Sequence, residues 1–188
     1  PLNSMCLPSP REMRSHIWGG DKFKMGAART CNPDIIIRQF NKGETPIRVW
    51  ISVGGQQIVH LASTKQVVEG LKKVPFLVQV DQFWGPMAEM SDIVLPAAHW
   101  LEIDDIYDMH PRWFIEAHNK CVDPPGEAKS DAWIFNEIGR RAAPDYWFKD
   151  VPTLLDYELR KAPISWKQFS ENVISGCFGP DQVYYKYK

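Results

Sequence analysis

The sequence lacks several features that would assign it to a well-known class of protein. Its four cysteines, Cys6, Cys31, Cys121 and Cys177, form no C-x-x-C pair, so neither a zinc ribbon nor an iron–sulfur cluster is indicated. No apolar run approaches the roughly 20 residues of a membrane helix, and the first residues contain no apolar core of a signal peptide. We therefore expect no metal cluster and no direct insertion into a membrane.

An excess of charge of either sign is also missing. The 188 residues include 22 basic and 23 acidic residues, which leaves a net charge of −1, so no nucleic-acid partner is predicted. Hydrophobic residues make up 44% of the chain, which is enough for a globular core. Because the chain begins with Pro1 instead of Met, we expect a piece of a longer or processed polypeptide.

The central part of the sequence alternates strand and helix patterns. Three short apolar runs, "IRVWISV", "FLVQVD" and "DIVLPA", predict strands, and "NPDIIIRQFNKGE" and "STKQVVEGLKKV" predict helices, with a helical turn at "PMAEM". Continuous apolar strands are typical of a parallel sheet that is buried on both faces. The fold class predicted is therefore α/β, a mainly parallel sheet with helices on both faces in three layers.

The ends of the chain are less regular. Residues 1–33 are rich in Pro, Gly and Ser and are interpreted as an irregular lead-in, and residues 34–145 as the α/β domain. This domain would include a helix at "SDAWIFNEIGRRAA", capped by Ser130 or Asp131. Residues 146–188 are interpreted as a tail with one helix near "VPTLLDYELRKA" and irregular chain after it.

Gly54 and Gly55 end the first predicted strand and are followed by Gln56. Ligands of open parallel sheets bind at the carboxyl ends of strands, and glycine permits close approach of the backbone. The alternative, a tight turn without a ligand, stays open because there is no complete G-x-G-x-x-G pattern and no Walker A lysine. Asp81 ends the second strand, where a carboxylate can accept from a ribose or a guanine edge, or only form a turn.

Other polar residues give no catalytic or metal site. The acidic run from Glu102 to His110 matches no calcium loop and is interpreted as a solvated loop. His118 and Cys121 would point to opposite faces of an extended segment, and no nucleophile elbow is present. Asp92, at the start of the third strand, is assigned a structural role.

Four segments together resemble a known family. They are "PIRVWISVGGQQIVH", "VVEGLKKVPFLVQVDQF", "AEMSDIVLPAAHWLE" and "VDPPGEAKSDAWIFNEIGRRA". In this order and spacing they are similar to the catalytic subunits of the dimethyl sulfoxide reductase family, the molybdopterin-guanine-dinucleotide oxidoreductases. The resemblance implies the third, Rossmann-like domain of such a subunit, in which residues 34–145 bind the nucleotide half of one of two pterin cofactors.

The resemblance also implies the residues of the binding site. Gly54, Gly55 and Gln56 would meet the pyrophosphate and ribose, His60 and Val80 would lie near the nucleotide, Asp81 beside the guanosine, and Pro96 and Ala97 would line the loop against it. Three positions depart from the family pattern: Gln56 replaces the usual Asn or Asp, Val80 replaces a common Gln, and "GPMA" replaces "TETA". We therefore expect altered recognition of the base.

The same resemblance implies partners that would complete the enzyme. The family's iron–sulfur cysteines, a ligand to molybdenum and the final β-barrel domain are not identifiable here, so no catalysis by the chain alone is expected. Molybdenum or tungsten would be held by the full subunit, whose remaining domains are partners, with an iron–sulfur electron-transfer subunit as a further partner. The implied location is the periplasmic or cytoplasmic side of a prokaryotic membrane.

Two alternatives remain open. A complete small α/β transferase or hydrolase would use the same crevice but needs a nucleophile that the sequence does not show. A stand-alone α/β domain that has lost the cofactor would act as an interaction or scaffold module, and the departures at Gln56 and Val80 favour that interpretation.

Overall fold

The chain divides into two compact units. The computed structural model describes residues 33–44, 46–107, 115–171 and 177–178. Described residues up to Ala97 belong to a first unit, and those from Ala98 onward to a second. The predicted α/β domain, 34–145, thus contributes residues to both units, and its boundaries stay a prediction. The predicted lead-in lies outside the described residues, apart from Pro33.

The first unit contains a parallel three-stranded sheet. Its strands are β1 (Val49–Val53), β2 (Phe76–Asp81) and β3 (Ile93–Pro96), in the order β1-β2-β3. Both strand pairs are parallel. The three apolar runs therefore form the predicted strands, and the α/β class is confirmed.

Four helices accompany this sheet: α1 (Pro33–Asn41), α2 (Gln57–His60), α3 (Thr64–Leu71) and α4 (Pro86–Met90). All except the four-residue α2 were expected from the sequence. Gly43 follows α1 with a φ of 74°, as a glycine that ends a helix often does. Side chains from α1, α3, α4 and β2 form one buried cluster, which consists of Ile37, Val67, Leu71, Leu77 and Met87. This core fixes one face of the sheet.

The opposite face of the same sheet is partly open. Strand alternation places a second set of apolar side chains there. At the centre, Val78 and Val80 are buried, but the surrounding side chains are 39–53% exposed: Val49, Ile51, Val53, Phe76 and Ile93. The described helices of the first unit pack against the first face, so a helical layer on the second face stays a prediction.

In the described part of the second unit, an antiparallel sheet is combined with three α-helices. The sheet has the order β4-β5-β6 and consists of β4 (Asp105–Tyr107), β5 (Ile115–His118) and β6 (Cys177–Phe178). The helices are α5 (Asp131–Ala142), α6 (Val151–Glu158) and α7 (Trp166–Glu171). Their shared core consists of Ile115, Leu155, Leu159, Trp166 and Phe169. The sequence predicted α5, α6 and one extended segment, but neither α7 nor the antiparallel pairing.

Helix α5 begins and ends as its sequence indicates. The Ser130 hydroxyl accepts a hydrogen bond from the main-chain N–H of Trp133 at 3.1 Å, which confirms the predicted N-cap. In the middle of the helix, the buried Asn136 amide holds the backbone of Phe148: Nδ2 of Asn136 donates to the Phe148 carbonyl at 2.9 Å, and the Phe148 N–H donates to Oδ1 of Asn136 at 3.1 Å. A side chain at Gly139 would collide with the indole of Trp147. The chain after α5 is therefore held tightly against the helix.

In two carboxyl groups of the second unit, the surroundings disfavour the ionised form. Burial raises the pKa of Asp105, although the N–H of Ile106 and the nearby His118 act in the opposite direction. Burial also raises the pKa of Glu158, with a further increase from the charge of Asp105 and a decrease from Arg160. Ionisation of Glu158 thus works against folding.

No helix within the described ranges is long and apolar enough to cross a bilayer.

Candidate functional site

The carboxyl ends of the three parallel strands form one continuous edge. Gly54, directly after β1, donates its main-chain N–H to the carbonyl of Val80 at 2.8 Å. Asp81 is the partner of Pro96 in the ladder, and the N–H of Ala97 donates to the carbonyl of Asp81 at 3.0 Å. Five of the predicted site residues are therefore linked through the sheet backbone.

Both glycines suit the turn after β1. Gly54 has a φ of 58°, in the left-handed region that residues with a Cβ rarely adopt. A Cβ on Gly55 would lie 2.6 Å from Nε2 of Gln57. The buried hydroxyl of Ser52 lies 2.9 Å from the Gly55 carbonyl and 2.7 Å from Oε1 of Gln57, and it donates its one proton to one of them. These contacts fix the conformation of the turn.

Main-chain donors remain available in this turn. The N–H of Gly54 is used within the sheet, but the N–H groups of Gly55 and Gln56 have no acceptor among the described residues. Unpaired N–H groups in a turn after a strand are suited to phosphate oxygens. The capacity to bind an anion therefore resides at Gly55 and Gln56, while Gly54 supplies the conformation.

The Asp81 carboxylate is held by four donors of this chain. Its Oδ2 accepts from Nε2 of Gln56 and from Nε2 of Gln79, each at 2.8 Å. Its Oδ1 accepts from the N–H of Gln82 at 2.7 Å and of Phe83 at 3.3 Å. Burial alone would raise the pKa of Asp81, but these hydrogen bonds together hold it below its ordinary value. The group is thus ionised and internally satisfied.

Gln56 connects this carboxylate to the next element. Its Oε1 accepts from the main-chain N–H of Met87 at 3.3 Å, at the start of α4. Gly85 lies against the same amide, because a Cβ there would come within 2.8 Å of Oε1. The Gln56 side chain therefore bridges the turn after β1 and the turn after β2, in addition to its main-chain role.

Gln79 belongs to the site, although the sequence analysis did not select it. Its side chain is fully buried, and Nε2 also lies 3.4 Å from the Gly55 carbonyl. Its Oε1 has no hydrogen-bond partner among the described residues, which is costly for a buried acceptor unless a ligand or water donates to it. A polar residue inside the apolar run "FLVQVD", two positions before Asp81 and so on the same face, was the available signal.

The remaining predicted residues lie at the border of this cluster. Val80 points to the other face of the sheet and is fully buried, so only its main chain lies at the edge. His60 ends α2 and is exposed, and the described residues give its imidazole no hydrogen-bond partner. Pro96 and Ala97 contact the cluster through the backbone of Asp81. The structure therefore unites all predicted positions except the His60 side chain.

Two structural predictions can be compared with the described residues. Asp92 accepts from the N–H of Leu77 at 2.7 Å, which confirms its structural role at the opposite end of β2. Within the described part of the chain, no three residues among His, Cys, Asp and Glu are grouped as metal ligands. Asp108 and His110 of the acidic run lie outside that part.

The chemistry of the cluster suits a phosphorylated ligand. Among the described residues, two main-chain donors without an acceptor are available for phosphate oxygens, and the enclosed amide oxygen of Gln79 lacks a donor. These groups can form hydrogen bonds to the phosphate, hydroxyl or N–H groups of a ligand. They bind and orient, and none of them is arranged as a nucleophile with an adjacent base.

Known proteins resemble this chain in sequence and in fold. Acetylene hydratase from Syntrophotalea acetylenica is 25% identical over 95% of this chain, and the probable oxidoreductase YyaE from Bacillus subtilis (strain 168) is 36% identical over 50% of it. The solved structure of acetylene hydratase from Pelobacter acetylenicus matches 90% of the chain with a TM-score of 0.73 at 22% identity, which supports the fold. The chain spans only 25% and 14% of the two sequence relatives and 24% of the solved chain.

The profile of one protein family matches most of the described chain. The match is to "Molybdopterin oxidoreductase" and extends over residues 24–141, which is more than half of the sequence. It includes the whole parallel sheet, the strand ends and all of helix α5 except its last residue. The chain therefore belongs to the molybdopterin oxidoreductase family, as its resemblance to the dimethyl sulfoxide reductase family predicted.

Proposed function

We propose that the first unit holds the nucleotide half of a molybdopterin guanine dinucleotide. One observation carries the proposal: at the carboxyl edge of a parallel sheet, the N–H groups of Gly55 and Gln56 and the amide oxygen of Gln79 have no hydrogen-bond partner among the described residues, and Nε2 of Gln79 lies 3.4 Å from the Gly55 carbonyl. Such an edge is where α/β folds bind nucleotides. The family membership implies a molybdopterin cofactor, and the guanine dinucleotide form is part of the proposal.

Each residue of the site has a positioning role in this proposal. Gly54 sets the turn, and Gly55 and Gln56 donate main-chain N–H groups to the diphosphate. Gln79 accepts from the ligand, and Asp81 lies beside the guanosine. When bound, the pterin would carry the molybdenum or tungsten at which two-electron redox chemistry takes place. The protein's contribution from this unit is to hold and orient that group.

The open sheet face suggests how the unit is completed. Its apolar rim is formed by Val49, Ile51, Val53, Phe76 and Ile93, and the two sequence relatives are about four times as long as this chain. Large contiguous apolar surfaces are typical of interfaces. We include in the proposal that the remaining domains of a catalytic subunit cover this face, and that an iron–sulfur subunit supplies electrons.

Exposure of this face can be tested with a dye that fluoresces on apolar surfaces. Ile51→Thr combined with Ile93→Thr keeps β-branched side chains in the strands but reduces the apolar area. We expect lower dye fluorescence and unchanged nucleotide affinity. Equal fluorescence for the wild type and the double variant would show that another part of the chain already covers the face.

The nucleotide site is tested by titrating the isotope-labelled 188-residue chain with GDP, followed by two-dimensional NMR of its amides. We expect the largest shifts at the N–H groups of Gly55 and Gln56, with weak affinity, because only part of a cofactor is offered. Guanosine and GMP serve as controls for the diphosphate and should bind more weakly than GDP. Shifts that are equal for GDP and guanosine, or absent at Gly55 and Gln56, would contradict the proposal.

The scaffold alternative predicts a different result. A domain that had lost its ligand would show no nucleotide-dependent shifts in the turn after β1. The family membership does not favour this alternative, because the matching region includes the complete strand edge with its glycine pair and Asp81.

A further inference from the structure

Two large aromatic side chains are exposed next to the proposed nucleotide site. Phe83 and Trp84 come one residue after the end of β2 and are 77% and 72% exposed. Large aromatic residues are normally buried or lie at contact surfaces, since each offers a wide apolar area. Two consecutive exposed aromatics beside the proposed site therefore indicate a contact surface for a ligand.

The backbone of this aromatic turn is held by the site itself. Oδ1 of Asp81 accepts from the N–H of Gln82 and of Phe83, so the first half of the turn is anchored to that carboxylate. Gly85, which ends the turn, lies against the Gln56 amide with no space for a Cβ. The turn is thus fixed at both sides against groups of the proposed site.

The Asp81 carboxylate has no free acceptor position for a ligand. An ionised carboxylate offers about four lone-pair positions. Two are used by the Gln56 and Gln79 amides and two by main-chain N–H groups. A guanine edge could approach this carboxylate only by displacing one of these donors.

We infer that Phe83 and Trp84 form a stacking surface for the base of the bound nucleotide, and that Asp81 is a positioning residue that holds this surface. The inference rests on the proposed function and deepens it. Stacking uses the π face that every base has, so it tolerates different bases. The site therefore distinguishes guanine from adenine only weakly.

The inference is tested by measuring the affinity of the full chain for GDP and for ADP. In the wild type the two affinities should agree within about three-fold. Trp84→Ala should weaken both by roughly 5- to 150-fold, the range for loss of one base–aromatic stack. Trp84→Phe retains an aromatic face and should recover most of that loss. The Trp84 indole N–H signal should shift with both nucleotides.

Three further variants separate stacking from general effects. Tyr146→Ala and Asp92→Asn are controls, and Asp81→Asn tests the positioning role. Tyr146→Ala removes another aromatic, 86% exposed, from the second unit and should leave both affinities unchanged. Asp81→Asn should weaken GDP and ADP equally and should move the Trp84 indole signal before any ligand is added. Asp92→Asn removes an aspartate with a similar main-chain bond at the other end of β2 and should change neither affinity.

The outcomes distinguish this inference from the proposed function. If GDP binds through the Gly55 and Gln56 amides but Trp84→Ala has no effect, or Asp81→Asn weakens GDP alone, the stacking inference is wrong and the nucleotide site stands. If neither GDP nor ADP produces shifts at Gly55 and Gln56, the proposed function itself fails, and the inference fails with it.

Discussion

Substitution of Gly54 by alanine should separate the stability of the fold from its capacity to bind nucleotide. Gly54 has a φ of 58° and open space around its missing Cβ, so the cost of alanine is conformational and not steric. A left-handed conformation costs an L-residue about 1–2 kcal/mol. We therefore expect Gly54→Ala to lower the free energy of unfolding by about 1 kcal/mol and to rearrange the turn that presents the N–H groups of Gly55 and Gln56.

Gly126 offers a matched control in the second unit. Its φ is 56°, and it too has nothing within 4 Å of an added Cβ. Gly126→Ala should lose a similar free energy in urea unfolding, yet bind GDP as the wild type does. Gly54→Ala should weaken GDP binding about ten-fold or more, the effect of losing roughly 1.4 kcal/mol of binding free energy. Equal GDP affinity for the two variants would refute the assignment of the anion site to this turn.

The remaining predictions concern the second unit. Asn136→Ala removes both hydrogen bonds to the Phe148 backbone and should destabilise the chain by about 2–4 kcal/mol in urea unfolding, since two buried polar groups lose their partner; a loss below about 1 kcal/mol would contradict the clamp. Gly139→Ala should cost about 1–3 kcal/mol by displacing the Trp147 indole, and much less when Trp147 is already alanine. Glu158→Gln should raise the melting temperature at pH 7 but leave it unchanged below about pH 4. Burial raises the folded-state pKa of Glu158, so the protonated carboxyl is favoured in the folded chain, and this contribution to stability is lost as the pH rises through that pKa. A melting temperature that rises equally at both pH values would show that the gain does not come from ionisation.

Much of the first unit could be predicted because its signals are local. Apolar runs of four to six residues bounded by Gly, Pro or Asp gave the three strands, and Pro33 and Gly43 marked the ends of α1. The second unit was predicted less well. Its strands have only two to four residues, which is too short for a periodic pattern to identify them.

The chemical state of the site was the part that required tertiary structure. Asp81 was selected as a base-contacting carboxylate from its position at a strand end. The fold instead surrounds it with the amide of Gln56, from the turn after β1, with the amide of Gln79, from its own strand, and with two N–H groups of the turn that follows. Conversely, Gln79 was not selected, because its importance depends on burial and on an unpaired oxygen that only packing creates.

The sequence by itself determined the family, the three parallel strands and the positions where the strands end, since these follow from residue order, apolar periodicity and the special conformations of glycine and proline. The tertiary structure decided which of those end residues still have free donors and acceptors. The physical reason is that hydrogen-bond groups are consumed by neighbours distant in sequence: Gly54 donates its N–H to Val80, whereas the N–H groups of Gly55 and Gln56 have no acceptor among the described residues. Availability for a ligand is therefore a property of the folded arrangement.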